Sequence, residues 1–201
     1  ANSRVTPPTS NFFSGEVDEV RVWNDDLTAT EQASAFAGTS FNTGDQVLHL
    51  LFTGGAGGVY NYAPGLVLTG SNYNDTPSSP ALQLSQFSVA AWFKTSADFS
   101  SDSMIVNKRG VGSDSAGENM NYAILMISTE QVRAGLETSS GADWYVTSPG
   151  TYNDNQWHYA VVTYDGSNLR LYIDGVQVAA KSTSGAVADS SGTKPVRVGA
   201  N

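Results

Sequence analysis

A chain of 201 residues with 40% hydrophobic content can bury one substantial core, and a single β-sandwich is an ordinary use of that length. The formal net charge of −9 excludes nucleic acid and anionic membrane surface as natural partners, since both need a basic face, and it leaves room for bound cations. The absence of cysteine excludes disulfides, thiol catalysis and thiolate metal sites, and no apolar run approaches the ~20 residues of a membrane span, so membrane insertion is not expected.

Residues 1–11 are polar, contain Pro7-Pro8 and read as a loop or arm. They carry no signal-peptide pattern, as expected of a mature chain or an internal fragment. Residues 12–23 form a strand whose alternation slips, because Val17 is followed by Val20 and Val22. A change of phase across Asp18-Glu19 predicts a β-bulge. Asn24-Asp25-Asp26 ends the strand. Thr28-Ala29-Thr30-Glu31 then fits a capping box, with Thr28 as N-cap and Glu31 at N3, opening a short helix that ends at Gly38.

A linker leads to a strand over 46–52 and a Gly-rich loop over 53–65 holding Tyr60, Asn61 and Tyr62. Further strands are predicted over 66–68, 81–85, 87–95, 104–107, 121–128, 131–137 and 144–148, with a polar loop over 71–80 and a longer one over 109–119. Residues 156–179 are the clearest stretch. Trp157, Tyr159, Val161 and Thr163 face one way and His158, Ala160, Val162 and Tyr164 the other. Asp165-Gly166 and Asp174-Gly175 are turn dipeptides, and Leu169, Leu171 and Ile173 alternate between them. A Ser/Gly/Ala loop and a last strand over 195–201 follow. The fold class is all-β, an antiparallel jelly-roll-like β-sandwich with one short helix.

Three segments carry a resemblance. The pattern W-H-x-x-V-x-x-Y-D-G-x-x-x-x-L-Y-I-D-G, here Trp157 to Gly175, resembles the central hairpin of laminin-G-like domains of the concanavalin A-like lectin/glucanase superfamily. Phe13 to Asn24 is similar to that family's F-x-G-x-I-D-E-V-R-I-Y-N segment, and FSVAAWFK over 87–94 to its F-T-V-S-A-W-F-K strand. The resemblance covers nearly the whole chain and implies the sandwich. It says little of function, since this fold hosts lectins, adhesins, glycosidases and structural modules.

The order is displaced. In the families this chain resembles, the D-E-V segment and its helix come last, whereas here they come first. Residues 1–38 are therefore expected to complete a sandwich whose main body is 39–201. They complete their own sandwich as a circular permutant, belong to a preceding repeat of a tandem array, or complete a neighbouring copy.

Glu16-Val17-Asp18-Glu19 is similar to the E-x-D-x-E signature of glucanases with this fold, but the third position fails, because Val20 stands two residues after Asp18. His49 and His158 are the only histidines, and no Ser/His/Asp arrangement is readable. No catalytic residue is assigned, and an enzyme is not expected. The resemblance implies instead a structural Ca²⁺ held by Asp18 and by the Gly-rich loop, through Gly57 and Asn61. Oxygen ligands of that kind suit calcium. A second candidate for a cation is the loop with Asp114, Glu118 and Asn119.

Trp23, Trp92 and Trp157 read as core. Tyr122, Trp144, Tyr145, Tyr152 and Tyr172 are the candidate ligand-binding aromatics, since sugars stack their C–H faces on rings with polar groups nearby. The reading is a non-catalytic carbohydrate-binding or adhesion module, extracellular or at the cell surface, calcium-stabilised, with a glycan or cell-surface polysaccharide as partner. The rival is a structural unit of an extracellular filament or array that joins neighbouring copies through residues 1–23. A glycoside hydrolase comes third.

Overall fold

The computed structural model describes residues 10–38, 45–52, 65–77, 79–108, 120–183, 185, 187 and 194–200. Their strands form two antiparallel sheets. The first is seven-stranded, in the order β12 (Val176–Ser182), β11 (Asn168–Ile173), β10 (His158–Tyr164), β5 (Phe87–Lys94), β1 (Ser14–Trp23), β2 (Gln46–Leu50), with β3 (Leu66–Thr69) beside the start of β1. The second is six-stranded, in the order β4 (Asn74–Asp75), β13 (Val196–Val198), β6 (Ser103–Lys108), β7 (Tyr122–Met126), β8 (Gln131–Glu137), β9 (Asp143–Thr151).

Alternation decides which side chains meet between the sheets. Val17, Val22, Val89, Phe93, Ala160, Val162 and Leu171 face inward from the first sheet, and Val106, Ile124, Ala134, Leu136, Val146 and Val198 from the second. The first strand of the chain occupies a central place: β1 pairs with β5 on one side and with β3 and β2 on the other. Before β1, the backbone touches the opposite sheet. Met104 N–H donates to Asn11 O at 2.9 Å and Phe13 N–H to Gly199 O at 3.0 Å. The chain thus crosses from one sheet to the other at residues 11–14.

The helix α1 (Ala29–Phe36) has the expected capping box. Thr28 Oγ1 accepts from Glu31 N–H at 3.3 Å, and Glu31 Oε2 accepts from Thr28 N–H at 2.8 Å. The helix lies on the outer face of the seven-stranded sheet and closes a second apolar cluster with Trp23, Leu27, Ala35, Ala90, Tyr159, Val161 and Tyr172. It is anchored by Leu27 N–H donating to Ser88 Oγ and by Gln32 Nε2 donating to Leu27 O, both at 2.7 Å.

The strand expected over 81–85 is instead a 3₁₀ turn, Pro80–Leu82, followed by extended chain. Pro80 has no N–H for a ladder, and the Asn121 side chain substitutes for a neighbouring strand by bonding both Leu84 N–H and Leu84 O. The polar loop over 71–80 also holds the short edge strand β4, clamped to β13 by a bidentate Arg197–Asp75 pair at 2.6 and 2.9 Å.

Candidate functional site

The β1 bulge is where the broken alternation placed it. The pairing of β1 with β5 shifts register between Asp18 and Arg21, and Glu19 takes φ 45°. Asp18 Oδ1 accepts two backbone N–H groups, from Glu19 at 2.7 Å and Phe52 at 3.0 Å. Glu19 turns its carboxylate to Arg21, at 2.7 Å, and Glu16 meets Lys94 at 3.2 Å. Each acid of this segment therefore has a structural partner. The described residues contain no cluster of three or more acidic or histidine side chains that could hold a metal ion. Gly57 and Asn61 lie outside the described residues, as do Asp114, Glu118 and Asn119. Calcium takes six to eight oxygens, so Asp18 fits as one ligand of a site and does not make one alone.

The five aromatics proposed from the sequence do not come together. Tyr122 is fully buried between the sheets, tilted against Phe87, with its hydroxyl donating to Leu82 O, and burial pushes its pKa far up. Tyr172 is buried beneath α1. Neither can meet a ligand, because alternation aims Tyr122 at the opposite sheet and the helix covers Tyr172. Trp144 faces inward at the sheet edge, half-buried against the core, with Lys181 Nζ 4.7 Å from its ring centre.

Tyr145 is the outward partner, half-buried on the outer face of the six-stranded sheet. It packs against Gly135, where a Cβ would collide with its ring, and Arg133 lies 5.4 Å from the ring centre. Burial raises its hydroxyl, aided by the Asp143 and Asp102 carboxylates. Tyr152 sits edge-on to His158 at 4.9 Å. His158 is held at Nδ1 by Asp174 at 2.8 Å and at Nε2 by Asp154 at 3.1 Å.

Tyr73, 37% exposed, lies under Arg197 beside β4, and two further exposed aromatics lie on the other sheet. Trp157, expected in the core, is 37% exposed, and Phe36 equally so. Both stand on the outer face of the seven-stranded sheet, where Phe36 stacks on the half-buried Trp92 at 5.5 Å. The sequence carried a signal for Trp157. It falls on the same face as Tyr159 and Val161 but one step beyond the reach of the short helix.

A family model described as the concanavalin A-like lectin/glucanases superfamily, of laminin G type, matches residues 68–201. The matched span begins after β1 and α1. No curated protein matches the chain. Among solved structures, the binding domain of Paraclostridial Mosquitocidal Protein 1 is similar at 14% identity and a TM-score of 0.50, covering 66% of this chain and 34% of that one. The chain thus spans about a third of that relative's length. The CBM40 of the Ruminococcus gnavus IT-sialidase, bound to α2,3-sialyllactose, is 12% identical over 63% of this chain and 76% of that one, with a TM-score of 0.47. Domains LG4-5 of the mouse laminin α1 chain are 11% identical over 98% of this chain and 37% of that one, with a TM-score of 0.44. With a family model matched over two-thirds of its length and the two-sheet architecture described above, the chain belongs to the concanavalin A-like lectin/glucanases superfamily.

Proposed function

We propose that this chain is a non-catalytic carbohydrate-binding or adhesion module that works outside the cell or at its surface. The observation that carries the reading is Trp157. In a sandwich that buries or half-buries the other three tryptophans, this indole stays 37% exposed on a sheet face. Exposed rings on a rigid strand scaffold suit sugars, whose C–H faces stack on them. The non-catalytic part is supported by Glu16 and Glu19, whose carboxylates are engaged by Lys94 and Arg21. No helix of the described residues is long and apolar enough to cross a membrane. Saturable binding to immobilised or soluble glycans, without release of reducing sugar, is the expected result. Hydrolysis abolished by Glu16→Gln would return the glycosidase.

A structural calcium ion belongs to the same proposal. Asp18 would hold it through Oδ2, while Oδ1 stays with the backbone, and the ion would supply charge neutralisation and rigidity beside the bulge. Chelation is expected to lower the melting temperature.

A second reading, a filament unit joined by exchange of residues 1–23, draws on one contact. The Phe13 N–H meets Gly199 O, so a strand placed as β1 is can be reached from beside the end of β13. Light scattering over a range of concentrations tests it. A constant monomer mass supports the module, and growth into a ladder supports the filament.

A further inference from the structure

We infer that the half of the seven-stranded sheet's outer face left uncovered by α1 is a binding surface for a neutral glycan. The Trp157 indole is its stacking platform, and the Glu16–Lys94 pair supplies its hydrogen bonds. This rests on the carbohydrate-binding reading and gives it a place and a ligand class.

The register builds the surface. Glu16 pairs with Val67 on one side and with Lys94 on the other, and Trp157 precedes His158, whose partner is Phe93. Val67, Glu16, Lys94 and Trp157 therefore lie in one row across β3, β1, β5 and β10. Their neighbours Val17 and Phe93 point into the core, so all four point outward. One step along the strands, Trp92 carries the stacked Phe36 and marks the border with the helix. Val67 is 53% exposed and Phe36 37%.

The indole is positioned and not left to swing. Gly65 approaches its rim so closely that a Cβ there would stand 3.0 Å from Trp157 Cη2 and 2.6 Å from Val17 O. A glycine at the foot of β3 thus leaves space for the ring over the sheet. A rigid ring loses little entropy when a sugar stacks on it.

The charges choose the ligand. Glu16 and Lys94 lie 3.2 Å apart, each about a quarter exposed, and neutralise one another. Together they present acceptors and donors to hydroxyl groups, with no surplus charge for a carboxylate or sulfate. The chain's net charge of −9 further disfavours a polyanion. A pyranose with an apolar C–H face and a rim of hydroxyls has the chemistry this row offers.

The test uses the whole chain against cellohexaose, xylohexaose, mannohexaose and chitohexaose, with sialyllactose and polygalacturonate as acidic probes, read by calorimetry and tryptophan fluorescence. At least one neutral hexasaccharide is expected to bind saturably and shift the emission. Trp157→Ala should bind about tenfold more weakly or worse, as should the double variant Glu16→Gln with Lys94→Gln. Tyr145→Ala, on the other sheet, should bind as wild type. Near-UV circular dichroism checks that each variant is folded, and the double variant carries the test if Trp157→Ala is not. Loss on Tyr145→Ala with both outer-face variants intact would overturn this site and leave the carbohydrate reading standing. Preference for the acidic probes would overturn the ligand class. Absence of saturable binding to every probe would overturn both the site and the reading beneath it.

Discussion

Phe13 donates its backbone N–H to the carbonyl of Gly199 at 3.0 Å, joining the strand that opens the described chain to the one that closes it. Residues 11–13 are tied to the six-stranded sheet, and residues 14–23 lie in the middle of the other. Removing β1 would strip β5, β2 and β3 of a partner at once and open the core at Val17, Val20 and Val22. Deletion of residues 1–23 is therefore expected to give an aggregating chain. A peptide of that sequence added during refolding should restore native circular dichroism. A truncated chain that stays monomeric and folded would show that β1 is dispensable.

Asp18 holds two buried-side N–H groups through one oxygen. Asp18→Ala leaves both without an acceptor and is expected to cost about 1–3 kcal/mol in denaturant unfolding. Asp18→Asn retains an acceptor and should cost less. The calcium proposal makes a separate demand: chelator should lower the wild-type melting temperature and leave Asp18→Asn unmoved. Equal curves with and without chelator would remove the ion and keep the bulge.

Asp165 governs the turn between β10 and β11. Burial pushes its carboxyl up, but hydrogen bonds from Asn168, from Ser167 N–H and from Arg170 outweigh it and hold the group at about 2. A carboxyl depressed in the folded state adds stability above its unfolded value near ~3.9, and that stability is lost as pH falls toward the folded value. The melting temperature should therefore drop between about pH 4 and pH 2. Asp165→Ala should lower the neutral-pH stability and flatten that acid slope.

His158 ties the loop before β10 to the turn between β11 and β12, through Asp154 and Asp174. Asp174 also accepts from Tyr159 N–H at 2.8 Å. His158→Leu would leave two carboxylates facing an apolar group and is expected to destabilise by about 1–3 kcal/mol. His158→Gln should recover part of the loss. Neither variant should affect glycan binding, because the ring faces inward against Phe93.

Period-two patterning was a good guide to which way a side chain points and a poor one to what it meets. The faces of Trp157, Tyr159, Val161 and Thr163 were legible, as were the bulge at Asp18-Glu19 and the Thr28 capping box. Depth was not. The outer face of the seven-stranded sheet is apolar along much of its length, but α1 covers only part of it. Tyr159 and Tyr172 became core because α1 lies on them, and Trp157 stayed open because α1 does not reach it. Tyr122 was misplaced for another reason. Every residue of β7 is buried, since both faces of that strand are covered, so no polar alternation marks its inner side. The segment 81–85 failed because Asn121 supplies from a distant side chain what a strand would supply from its backbone.

The placement of β1 also bears on how the molecule is made. This strand leaves the ribosome before any of its three partners, the nearest of which, β2, follows only after α1 and a linker. Until β5 is synthesised, one long side of β1 has nothing to pair with, so the centre of the larger sheet stays incomplete while the chain between them is made. Such long-range pairing is slow, on the order of milliseconds to seconds even in a free chain. During that interval the strand is open to capture by another nascent copy.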